Sequence, residues 1–212
     1  MDPDRKGFVT KVYAIVCIQL CITTLATGIV LSSETHKEWV RDHYYLYYVA
    51  LIFGITILCT LVCCTKHARK VPRNYILLGI FTICWSYMVA GFTQWFEPSD
   101  VFAAAGLTSA MVAGLTLFAC CCKMKLTWLW GIAAAGSLAV WPLIIFLIIF
   151  PSRFLFNIVA FFVVVLTSIY IVYDTRLIMK KLSPDEYIIG ALLLYADIIQ
   201  LFMWILALFG NN

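Results

Sequence analysis

Polar residues in this chain come in short clusters, and between them run seven apolar stretches: Val12–Leu31, Tyr44–Cys64, Tyr75–Phe92, Val101–Cys122, Leu126–Phe150, Phe154–Tyr173 and Tyr187–Phe209. Each is close to the roughly 20 residues that a helix needs to cross about 30 Å of hydrocarbon. Runs such as Leu143–Phe150 and Phe161–Leu166 are apolar on every face, a pattern of helices set in lipid or deeply buried. The breaks between stretches (32–43, 65–74, 93–100, 123–125, 151–153, 174–186) are too short to hold an extramembrane domain. The pattern predicts an all-α, polytopic membrane protein of seven transmembrane helices, with residues 1–212 forming one domain. The first stretch is too long for a signal-peptide core and is read as a helix.

Composition agrees: 64% of the 212 residues are hydrophobic and only 12% charged, with a mean hydropathy of +0.97. About a quarter of a soluble domain is charged, so no water-facing surface can be built from this chain. Charge then sets orientation. Twelve of the 15 Lys and Arg residues fall on one side: Arg5, Lys6 and Lys11; Lys66, Arg69, Lys70 and Arg73; Lys123 and Lys125; Arg176, Lys180 and Lys181. The other side has Lys37, Arg41 and Arg153 among several acids. The positive-inside rule predicts a cytosolic N-terminus. Seven full crossings put Asn211–Asn212 on the far side; a last segment that only dips in would leave them cytosolic. The net charge of +4 is a topology signal, and no nucleic-acid partner is expected.

Nine cysteines could suggest a disulfide framework, but none lies in a predicted lumenal loop. Cys17, Cys21, Cys59 and Cys84 fall inside spans, and Cys63, Cys64 and Cys120–Cys122 at cytosolic ends, where thiols stay reduced. The triplet beside Lys123 could be acylated or hold a metal, although no second Cys or His pair at zinc spacing accompanies it. Small apolar filling at a membrane boundary is the expected role. Gly106, Ala110 and Gly114 repeat every four residues, the spacing of close helix approach in lipid. Pro142 should kink its span. Both read as packing features.

Charges at membrane depth are functional candidates by default, and two acids qualify. Asp197 is mid-way along the last span, and Asp174 closes the sixth. Ser183-Pro-Asp-Glu186 reads as a helix start with a capping box and Pro at the first position, so helix six can run to about Lys181 and turn back. Straight antiparallel helices would leave the carboxyls about 10 Å apart in depth, a gap that tilt could close. If they meet, they must share a proton or hold a cation, as a proton sensor, a cation site or an acid/base dyad would. The alternative is that each acid separately bonds a neighbouring helix.

These residues also carry a resemblance. YIVYDTRLI (170–178), SPDEYI (183–188), ALLLYADIIQLF (191–202) and ILALFG (205–210) resemble the closing motifs of the Bax-inhibitor/Lifeguard family of membrane proteins. FVTKVYAIVCIQLCIT (8–23), RKVPRNYILL (69–78) and GLTLFA (114–119) are similar to its first helix, second cytosolic loop and fourth helix. The chain departs from the pattern at Lys125, where the family has an acid, and at Ala196 and Gln200 beside Asp197. The resemblance implies six helices around a central hydrophobic seventh, with Asp174 and Asp197 as a di-aspartyl pH sensor. It implies a basic latch at the end of the second helix: Arg69 is the best match, with Lys66 and Arg73 close by. It further implies a pH-sensitive, calcium-permeable leak of the endoplasmic reticulum or Golgi and a cytoprotective, anti-apoptotic role. The partners would be calcium, protons and the lipid bilayer, with no cofactor. An alternative is a non-transporting regulator that binds apoptosis proteins in the membrane. A remoter one is an intramembrane aspartyl protease, but Leu194-Tyr-Ala-Asp197 lacks the Gly-x-Gly-Asp of those enzymes and Pro-Ala-Leu does not occur. No enzymatic activity is expected.

Overall fold

The computed structural model describes residues 3–63, 69–121 and 125–210. Lys66, Cys64, Cys122, Lys123 and the Asn211–Asn212 tail lie outside them. The described residues form helices and no strands: α1 (Pro3–Leu31), α2 (Glu34–Asp42), α3 (Tyr45–Cys63), α4 (Arg73–Thr93), α5 (Pro98–Cys121), α6 (Leu126–Ile149), α7 (Arg153–Lys180) and α8 (Tyr187–Phe209), with a 3-10 turn at Pro184–Glu186 before the last. Seven of these are long and apolar enough to cross a membrane, at the seven predicted places. Helix α1 begins nine residues before its apolar stretch. Its added turns are amphipathic, with Phe8 buried in register with Val12 and Val16. The 32–43 break holds the short helix α2. Lys37 lies 2.6 Å from Glu34 there, and its ammonium holds that exposed carboxyl below the usual carboxylate range.

The chain folds into two compact units, one of residues 1–96 with 182–195, the other of residues 97–181 with 196–212. In the first, α1 buries Phe8, Val12, Val16, Gln19, Thr23 and Thr27 along one stripe, with the three- and four-residue steps of a single helix face. Its polar half is matched from α4 and from Tyr195 of α8. Gln19 Nε2 donates to Thr82 Oγ1 at 2.9 Å, and the Thr23 hydroxyl meets Ser86 Oγ at 2.9 Å and Tyr195 OH at 2.7 Å. Hydrogen bonds of this kind join helices where lipid offers no competing partner. Val40 of α2 sits beside Gly91 on α4, 3.7 Å from where a Cβ would stand.

The second unit packs α5, α6 and α7 with the end of α8 around two apolar clusters. Ala119, Leu129 and Val172 form one. Val140, Val159 and Val163 form the other, with Trp204 against it. Among the described residues, the small-residue stripe of α5 does not make the close approach that its spacing predicts. A Cβ on Gly106 or Gly114 would meet nothing within 4 Å, and Ala110 is exposed. The reason is register: α5 buries Ala104, Thr108 and Ala119, and the stripe, two residues out of step, turns to the other side. Pro142 lies inside α6 as expected.

Candidate functional site

Helix α7 carries Asp174 past the apolar stretch because its final turns are held on both sides. Val172, Thr175, Arg176 and Ile178 are all buried, and the Lys181 N–H bonds the Leu177 carbonyl at 2.9 Å to close the helix. The chain then reverses through Leu182–Ser183. Pro184 starts the turn, and the Ser183 N–H donates to Glu186 Oε2 at 3.1 Å, so the expected capping residues stand where the sequence placed them. Helix α8 follows with Asp197 near its middle.

The reversal brings the two aspartates together within the second unit. Their carboxyl groups face one another as hydrogen-bonding partners. Asp174 is only 6% exposed. Asp197 retains some exposed surface as a residue, yet its Oδ2 is buried and has no partner among the described residues. A hydrogen bond between two carboxyls requires a proton on one of them, and two bare carboxylates in this apolar setting would repel with little screening. Chemically, a pair of this kind can share one proton or, with both groups ionised, hold a cation between them. One turn before Asp174, Tyr170 OH lies 2.6 Å from Ser137 Oγ on α6, which fixes the rotation of α7.

Arg69 does not stand free. Its Nη2 lies 2.8 Å from Glu186 Oε1, and that carboxylate keeps the guanidinium more firmly charged than usual. Glu186 thus spends one oxygen on Arg69 and the other on the turn into α8. Arg73 opens α4.

Arg176 is a correction to the charge pattern. The sequence reading counts it among loop cations, but it lies inside α7, is 2% exposed, and its Nε and Nη1 have no partner among the described residues. The signal was present, since a helix running to Lys181 must contain residue 176. Burial of a full charge is not expected from residue type alone. The cysteines Cys63, Cys120 and Cys121 are unpaired and exposed. Among the described residues no three of His, Cys, Asp and Glu gather as a metal cluster would.

The sequence pattern of the family described as "Inhibitor of apoptosis-promoting Bax1" matches residues 5–212. Curated relatives include Protein lifeguard 3 of Mus musculus, 28% identical with 98% of this chain and 70% of that protein covered, and its Homo sapiens counterpart with the same values. Protein lifeguard 4 of Mus musculus is 31% identical, with 95% of this chain and 84% of that protein covered.

Proposed function

We propose, from the premise that this chain belongs to the Bax-inhibitor family, that it is a calcium-permeable leak of an intracellular membrane whose state follows the protonation of Asp174 and Asp197. The facing carboxyls carry this reading. Calcium is a hard cation that takes about six to eight oxygen ligands, and two carboxylates supply fewer. An ion at this pair stays partly hydrated and is free to leave, which suits passage rather than storage. Proton and cation compete for the same oxygens, so cation occupancy weakens as pH falls through the range in which the pair takes up its proton. The cytoprotective role fits a protein that lowers the calcium available for release on a death stimulus. On this reading the chain is a conduit and not a protease or other enzyme, and it needs no cofactor.

The test is calcium flux into proteoliposomes holding only the purified chain, measured across pH. Wild type should show a pH-dependent flux. Asp197→Asn and Asp174→Asn keep the side-chain shape but remove the titration, and each should flatten the profile. An unchanged profile in Asp197→Asn would sink the proposal. No flux from the wild-type protein alone would favour a regulator that works by binding apoptosis proteins in the membrane.

A further inference from the structure

A second set of groups converges on an open cavity of about 420 Å³ in the second unit, lined by Leu126, Thr127, Trp130, Tyr173 and Lys181. The cavity lies where α6 begins and α7 ends, on the side with most of the Lys and Arg. Its described lining contains no carboxylate. Lys181 is exposed and has no acidic partner among the described residues, and neither the Thr127 nor the Tyr173 hydroxyl is engaged there. At the same end the Trp128 and Leu129 N–H groups bond the Lys125 carbonyl, which leaves the Leu126 and Thr127 amides of the first turn of α6 without intrahelical acceptors. Among the described residues, one full positive charge and two hydroxyls thus face a hollow whose other described walls, Leu126 and Trp130, are apolar.

Depth narrows the occupant. Trp128 and Trp130 are 68% and 59% exposed, and exposed tryptophans at a helix start mark the level of the lipid headgroups. At that level the ligand in greatest supply carries a phosphate joined to an acyl body. A phosphate there would find Lys181 as counter-charge and the two hydroxyls and helix-start amides as donors. The glycerol and first methylenes would lie along Leu126 and Trp130. Basic pockets between helices on the cytoplasmic side suit anionic headgroups.

We propose that this cavity is a binding site for the phosphate headgroup of an anionic lipid, with Lys181 as its charge and Thr127 and Tyr173 as its hydroxyl donors. Neither aspartate lines the cavity, and lipid binding there does not require that the protein conduct ions.

The full chain would be placed in phosphatidylcholine nanodiscs containing a minor fraction of phosphatidic acid, and retained lipids counted by native mass spectrometry. Wild type should retain phosphatidic acid in preference to phosphatidylcholine. Lys181→Gln should cut that preference about fivefold and Thr127→Val about threefold. Lys180→Gln, one residue away and outside the cavity, should leave it unchanged. Brominated phosphatidic acid should also quench Trp130 fluorescence, read as the difference between wild type and Trp130→Phe, and this should vanish in Lys181→Gln. Equal retention in wild type, Lys181→Gln and Thr127→Val would overturn the site. An equal loss in Lys180→Gln would reduce it to bulk charge, and displacement by matching concentrations of inorganic phosphate would make it a free-anion site instead.

Discussion

At the scale of single residues, Glu186 shows how two roles can be separated. Its Oε1 meets Arg69 and its Oε2 accepts the Ser183 N–H. Glu186→Ala removes both, whereas Glu186→Gln keeps an acceptor for the turn and loses only the charge. The Ala variant should be less stable than the Gln variant by about 1 kcal/mol, the usual worth of a helix cap; apparent melting temperatures in detergent would show it. Arg69→Ala should move the melting temperature less than Glu186→Ala, because the exposed ion pair is screened by water. Ser183, Pro184 and Glu186 were legible because capping chemistry is local. Asp174 and Asp197 were legible because charge is scarce in an apolar chain, but their contact was not, since helix spacing alone left a gap in depth. The seating of Arg69 on Glu186 depends on residues 117 positions apart, which no local pattern reports.

At the scale of helices, α6 and α7 illustrate what holds apolar spans together. The Ser137 and Tyr170 hydroxyls meet at 2.6 Å, while Leu166 presses on Gly136 so closely that a Cβ there would stand 2.8 Å from its Cδ1. Ser137→Ala and Tyr170→Phe should each lower the melting temperature, and the double variant should lose less than the sum. The coupling expected is about 0.6 kcal/mol, as for hydrogen bonds between other membrane helices; independent effects would mean that the pair contributes nothing. The seven spans were readable because length and apolar content decide them. Helix α2 was not, because nine residues in a polar break leave no apolar window. Nor was the outward face of Gly106, Ala110 and Gly114, because small residues mark where helices can approach and say nothing about where they do. The four-residue steps from Gln19 to Thr23 and from Thr82 to Ser86 answer one another only once α1 is set against α4.

For the whole molecule, the asymmetry of Lys and Arg makes a prediction about sidedness. In sealed microsomes, whose outer face is cytosolic, a membrane-impermeant maleimide should label native Cys63, Cys120 and Cys121 directly. A cysteine placed at exposed Glu38, with the native ones replaced, should react only after permeabilisation. The reverse pattern would invert the topology. Helix length adds a further consequence. Helix α7 has 28 residues and α3 has 19, or about 42 Å and 28 Å of rise. Asp174 comes 21 residues after Arg153, about 31 Å along α7, which is nearly the thickness of the hydrocarbon layer itself. A thin bilayer would set this buried carboxyl level with the water, and a thick, sterol-rich one would hold it well below the surface. Membrane thickness differs by several ångströms between organelles, so the compartment in which the protein resides sets how far its acid pair lies from bulk water.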